Sequence, residues 1–181
     1  MGESSTSLIS QIRSDEAITD DQFIAILTPT EWMESTLLDQ YILDVIRVDQ
    51  IINPEDERKF DCITSDEWKS CRIERNNDFD SRFALATDVL APIVQDGHIY
   101  LYHIAIPEKR MTLYDSLCNG IVRHIEIQQE LSILFDIKEF VVATCPQQKD
   151  GYNCGFHVSY FAKMLITGDT SQWSFDPLEI T

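Results

Sequence analysis

The chain has no apolar run approaching the roughly 18 residues that a membrane-crossing helix needs, and its start shows no secretory leader. It also has no Cys-x-x-Cys pair. Its five cysteines, at positions 62, 71, 118, 145 and 154, are odd in number, so neither a disulfide framework nor a zinc site is expected. Free thiols fit a reducing, intracellular setting, nuclear or cytoplasmic. Positive charge is scarce. Lys and Arg number 14 against 31 Asp and Glu, and the net charge of −17 argues against nucleic-acid phosphate as a partner. Such acidity suits a partner with a basic patch, or serves solubility alone. No internal repeat is present.

What is present is enough for a real core. The 181 residues are 44% hydrophobic, and helical and alternating segments are mixed, which predicts one α+β domain. Residues 1–20 are polar and rich in Ser, Asp and Glu; they read as a flexible lead-in to a single domain over 21–181. Met1-Gly2-Glu3-Ser4-Ser5-Thr6 formally matches a myristoylation pattern, but the acidic residue directly after the glycine argues against it. Thr28-Pro29-Thr30-Glu31 carries the signs of a helix start: a capping Thr, Pro in the first turn and Glu completing a capping box. Trp32 falls in that first turn, and Leu38, Tyr41, Ile42, Val45 and Ile46 form an apolar helical face. Residues 50–81 are charged and weakly periodic, which predicts short helices and loops. A strand-like run from Ala84 to Ile93, ending near Pro92, leads through the turn Gln95-Asp96-Gly97 into a strand over 98–106. After a turn at 107–110, Met111–Tyr114 returns as a second strand. Residues 120–135 read as a helix with Ile127, Leu131 and Leu134 inward, and Phe140–Ala143 as a short buried strand. The tail from Trp173 to Thr181 has too little pattern to place.

The most informative stretch is Pro146-Gln147-Gln148-Lys149-Asp150-Gly151-Tyr152-Asn153-Cys154-Gly155, a polar loop ahead of a cysteine. Phe156, Tyr160, Phe161, Met164 and Leu165 then recur at helical spacing, with Gly168 as the stop. Asn153 is a good N-cap, so Cys154 falls in the first turn, where unpaired N–H groups and the helix dipole favour a thiolate. A lone cysteine beside aromatics is more often a small buried hydrophobe. The chemical reading therefore depends on finding a base and an acid elsewhere.

Four histidines are available. His124 lies beside Arg123 in an amphipathic helix, where a solvated role is the default, and His157 follows Cys154 by one turn without an obvious orienting partner. His98 and His103 share a strand with opposite side-chain parity, so only one can face a given site. Folding the hairpin about Pro107 returns Asp115 close to His98. A carboxylate that takes one imidazole N–H fixes the tautomer and leaves the other nitrogen as a base. His103 is then a packed or surface histidine. Gln148, six residues before Cys154, can offer its amide to a developing oxyanion, with the Cys154 backbone N–H as second donor.

With these residues in place the sequence resembles the ubiquitin-like-protein-specific cysteine proteases, the SUMO proteases and their relatives. Three segments carry the resemblance. Thr30–Leu38 is similar to the family's Trp-Leu-Asn-Asp segment. Gly97-His98-Ile99-Tyr100-Leu101 with Leu113-Tyr114-Asp115-Ser116-Leu117 is similar to Gly-His-Trp-x-Leu followed by Tyr-Asp-Ser-Leu. The cysteine stretch is similar to Pro-Gln-Gln-x-Asn-Gly-Tyr-Asp-Cys-Gly. The resemblance spans about residues 25–167 and implies a papain-like α+β fold, a small mixed sheet packed against helices, with the nucleophile at the start of a central helix. It implies Cys154 as nucleophile, His98 as base, Asp115 as its orienter and Gln148 in the oxyanion hole, with no cofactor and no metal. Trp32, Ile99 and Ser35 fall at positions that meet the modifier, Trp32 as a wall of the tunnel around its Gly-Gly tail. The implied activity is thiol-dependent cleavage after that Gly-Gly, in deconjugation, precursor processing or both. The implied partners are SUMO or a related ubiquitin-like protein and its conjugates, met by a monomer, with no membrane and no nucleic acid.

Three departures from the pattern matter. Ile99 replaces the Trp that closes the tunnel's other side, Ser35 replaces an Asp that meets a basic residue of the modifier, and Asn153 replaces the Asp before the cysteine. Two other readings remain open from sequence: an acetyltransferase of the same clan, and a catalytically weak modifier-binding domain.

Overall fold

The computed structural model describes residues 33–71, 81–117 and 125–168. The Asp96-Gly97 turn organises its sheet. Both residues have positive φ (51° and 72°), the type I′ geometry that closes a two-residue hairpin with the twist of its strands. Gln95 therefore pairs with His98, joining β2 (Asp88–Gln95) to β3 (His98–Ala105) in antiparallel register. A second turn, with Lys109 at φ 51°, returns the chain as β4 (Arg110–Tyr114). Parallel edge strands complete a mixed sheet of order β1-β2-β3-β4-β5: β1 (Phe60–Cys62) on β2 and β5 (Glu139–Val142) on β4.

Side-chain parity divides the core between the two faces of this sheet. Ile99 and Leu101 join Leu38, Ile42 and Ile46 of helix α1 (Ser35–Ile52) and Val158, Phe161 and Ala162 of the last helix, α4 (Cys154–Thr167). Tyr100, Tyr102 and Ile104 join Ile127, Leu131 and Leu134 of helix α3 (Ile125–Leu134) on the opposite face. The short α2 (Ser65–Cys71) follows β1, and its first residue is held by Asp39 of α1, which accepts from the Ser65 backbone N–H (3.0 Å) and hydroxyl (2.6 Å). Burial pushes the Asp39 carboxyl above its usual range against the pull of those bonds. This is the expected α+β, papain-like arrangement.

Several local expectations are corrected. The helix that carries the expected apolar face, α1, begins at Ser35, Met33 and Glu34 being non-helical; the helix start expected at Thr28–Glu31 lies outside the described residues. Tyr41 sits 37% exposed at the margin of the apolar face that buries Leu38, Ile42 and Ile46. Strand β1 was not anticipated, because three residues inside a charged stretch carry no readable period. Pro92 lies within β2 and does not end it. β1 pairs only with residues 88–90, so the proline's missing N–H falls where no neighbour asks for it. The β5 segment is an exposed edge, with Val141 37% exposed, where a buried strand was expected. Helix α4 matches expectation, ending at Gly168 with φ 72°. Arg58 closes that end by donating to the carbonyls of Leu165 (3.2 Å) and Ile166 (3.4 Å). Among the described residues no helix is long and apolar enough to cross a membrane.

Candidate active site

The site lies where the N-terminus of α4 meets the end of the sheet at which β3 begins. His98 opens β3, and Asp115 directly follows the last residue of β4. The β3–β4 ladder pairs Leu101 with Tyr114, offset by two residues from the fold-back expected about Pro107. Asp115 reaches His98 all the same, because it lies just past the end of β4, where the chain is free to turn. Its Oδ1 stands 2.7 Å from His98 Nε2 and also accepts the Leu117 backbone N–H (2.8 Å). Asp115 is 1% exposed. A carboxylate only accepts, so Nε2 carries a proton and Nδ1 is the nitrogen left for the Cys154 thiol. Burial disfavours a charged imidazole here, but the bond to Asp115 and the nearby Cys154 outweigh it and raise the His98 pKa to about 9.

Cys154 is the first residue of α4 and 1% exposed. The cap differs from expectation. Asn153 occupies the N-cap position but makes no side-chain cap bond. The Asp150 carboxylate braces the cap residue instead, accepting the backbone N–H groups of Tyr152 (3.0 Å) and Asn153 (2.9 Å) in the turn before the helix, while Asn153 Nδ2 donates to its other oxygen (2.7 Å). Burial works against the Asp150 charge, but these bonds prevail and hold its carboxyl below the usual range. Gly155 follows because nothing larger fits. A Cβ there would stand 2.6 Å from the Met33 Cβ, so a glycine is what lets the segment entering α1 cross the start of α4.

Gln148 is buried in the loop before α4. Its Nε2 donates to the Asp150 carbonyl (2.8 Å), its Oε1 accepts the Ser116 hydroxyl (2.6 Å), and its backbone N–H bonds the Ser116 carbonyl (2.9 Å). Its neighbour Gln147 donates to the Asp115 carbonyl (3.0 Å), which Cys145 Sγ also approaches at 3.5 Å. Residues 145–148 thus clamp residues 115–116. Sequence reasoning missed Ser116, Gln147, Asp150 and Met33. The first three stand inside the motifs already quoted, so the signal was available, but their bonds are long-range or loop-specific.

The remaining candidates are placed as follows. His103 is bound to Asp88 (Nε2–Oδ1 2.7 Å) and stacks on Phe60, as a packed histidine. His157 is 1% exposed in α4, and burial lowers its pKa against the pull of Asp150. Ile99 is 3% exposed within the apolar cluster that holds Cys154. Ser35 is the half-buried first residue of α1. Trp32 and His124 lie outside the described residues. A groove of about 740 Å³ runs along α1 and β1, and none of the site residues lines it.

A cysteine at the head of a central helix, backed by a histidine and carboxylate from the sheet, belongs to the papain-like cysteine peptidases in both fold and chemistry. The profile of the Ulp1 protease family's C-terminal catalytic domain matches residues 36–180, and the chain belongs to that family. It is a cysteine peptidase. Among solved structures it is similar to the Ulp1-like SUMO protease catalytic domain of Chaetomium thermophilum, with 17% identity over 99% of this chain and 85% of that one, TM-score 0.69. It is also similar to the C-terminal Ulp1 protease domain in complex with Smt3, the yeast ortholog of SUMO, with 16% identity over 97% and 88% of the two chains, TM-score 0.67. The Xanthomonas campestris effector XopD bound to ubiquitin gives 20% identity over 77% and 78%, TM-score 0.57. At these identities the likeness carries the fold. No curated protein sequence matches the chain.

Proposed function

We propose that this peptidase cleaves the peptide or isopeptide bond after the C-terminal Gly-Gly of SUMO or another ubiquitin-like modifier, in precursor processing, deconjugation or both. The observation that carries the reading is the buried Asp115–His98 hydrogen bond placed beside Cys154 at the head of α4. Cys154 attacks the glycine carbonyl as a thiolate, and Gln148 Nε2 with the Cys154 backbone N–H stabilises the oxyanion. The His98 imidazolium gives its proton to the leaving amine as the C–N bond breaks, leaving a thioester. Neutral His98 then takes a proton from water, whose hydroxide attacks the thioester and releases the modifier's carboxylate and the Cys154 thiolate. Trp32 and Ile99 are the proposed walls of the tunnel, in which a residue larger than glycine clashes. Ser35, at the start of α1, is the proposed contact to the modifier's body; an uncharged hydroxyl there favours a modifier without a basic residue opposite it.

The test is a panel of ubiquitin-like modifiers carrying C-terminal electrophiles, incubated with wild type, Cys154→Ser and Cys145→Ala and read by mass. One modifier class should add to wild type and to Cys145→Ala, and none to Cys154→Ser. An adduct that survives Cys154→Ser overturns the nucleophile. A folded protein that takes no member of the panel overturns the substrate class. Acetyl transfer to Cys154 from acetyl-CoA in that case supports the acetyltransferase, and modifier binding without reaction supports the binding domain.

A further inference from the structure

The orientation of Gln148 is decided by its surroundings. The Asp150 carbonyl can only accept, so the amide end facing it at 2.8 Å is Nε2. The opposite end is then Oε1, and Ser116 must donate its hydroxyl to it at 2.6 Å. Nε2 keeps a second N–H beyond the one given to Asp150, while Oε1 is turned away from that free donor. Ser116 is 1% exposed and Gln148 8%, so water has little access to substitute for either bond. The backbone reinforces the pair, since the Gln148 N–H bonds the Ser116 carbonyl at 2.9 Å. Ser116 also follows Asp115 directly. The residue that orients the base is therefore followed at once by the one that holds the amide.

We propose that Ser116 is a positioning residue for the reaction, locking the Gln148 side-chain amide with its free N–H turned toward the oxyanion formed at Cys154. This rests on the cysteine-protease reading above, with Gln148 in the oxyanion hole. Without the hydroxyl, the buried Oε1 loses its partner and the amide keeps one anchor in place of two. It can then rotate about Nε2, and its free donor no longer holds its aim when the carbonyl becomes tetrahedral.

The test is a thermodynamic cycle over Ser116→Ala, Gln148→Ala and the double variant, with a peptide ending in Gly-Gly-aminocoumarin as substrate. Ser116→Ala should lower kcat about tenfold with KM little changed. Gln148→Ala should lower it roughly a hundredfold, the usual scale for one oxyanion donor. Adding Ser116→Ala to Gln148→Ala should cost no further activity. A peptide glycinal, whose aldehyde adds the Cys154 S–H to form a hemithioacetal, should bind about tenfold more weakly to Ser116→Ala, while the matching carboxylate product binds unchanged. Ser116→Cys, close in volume but a poor donor, should repeat the loss and guards against a cavity effect of the alanine. An equal fall in the Gln148→Ala background, or an unchanged kcat in both Ser116 variants, overturns the role of Ser116 alone. Full turnover by Gln148→Ala removes Gln148 from the oxyanion hole, and Ser116's role falls with it. Full turnover by Cys154→Ser overturns Cys154 as the nucleophile, and no release of aminocoumarin by the folded wild type overturns the protease reading itself.

Discussion

Cys145 and Cys154 are both buried, unpaired by disulfide and members of one apolar cluster, yet only one meets an imidazole. The Cys145 sulfur lies against a backbone carbonyl, whereas Cys154 faces a ring whose other nitrogen is committed to Asp115. That difference in surroundings is what makes Cys154, and not Cys145, the proposed nucleophile. His98 holds its proton to about pH 9. Because its folded pKa is raised above the ordinary value, the stability it contributes is fully present below about pH 6.5 and fades as pH rises through the folded value. The imidazolium proposed to protonate the leaving amine is lost over the same range. The alkaline limb of kcat/KM should therefore fall near pH 9, and the urea midpoint difference between wild type and His98→Gln should shrink there too. An alkaline limb close to neutrality would show that Asp115 and Cys154 do not hold the proton on His98.

At the scale of the element, α4 depends on what precedes it. The family pattern has Asn where this chain has Asp150, and Asp where it has Asn153. The two residues bond one another through Asn153 Nδ2 and Asp150 Oδ2, so exchanging them keeps one carboxylate and one amide in contact. It also moves the negative charge away from the residue next to Cys154. Asp150→Asn should cost about 1 kcal/mol through the weakened cap, and Asn153→Asp about as much through two facing carboxylates. The double exchange should recover most of both losses in chemical unfolding. Additive losses would show that the pair is not coupled.

For the whole molecule, charge is the dominant quantity. A net −17 on 181 residues favours association with a partner that carries a basic face, as the proposed modifier would. Raising salt from about 0.05 to 0.5 M should lower kcat/KM several-fold by slowing association while leaving kcat nearly constant. A flat salt profile would mean that the acidity serves solubility alone.

Much of this was legible in the sequence because it is local. The Asp96-Gly97 turn, the strand after it, helix α4 with its Gly168 stop, and the inward residues Ile127, Leu131 and Leu134 all follow from backbone preference and periodicity. The Cys, His, Asp and Gln candidates stood out because each sits in a short run with a chemical rationale of its own. What the tertiary structure alone decided were contacts between segments far apart in the chain. Met33 crossing Gly155, Arg58 on the end of α4, Gln147 and Cys145 on the Asp115 carbonyl, and Ser116 on Gln148 join residues about 30 to more than 100 positions apart. Parity would have turned His98 away from α4, since Ile99 and Leu101 face that helix; its place at the very start of β3, opposite the helix N-terminus, lets it reach Cys154. Periodicity fixes which face a side chain takes along an element. Where elements end, packing decides what each side chain meets, and the candidate groups His98, Asp115 and Cys154 stand at such ends.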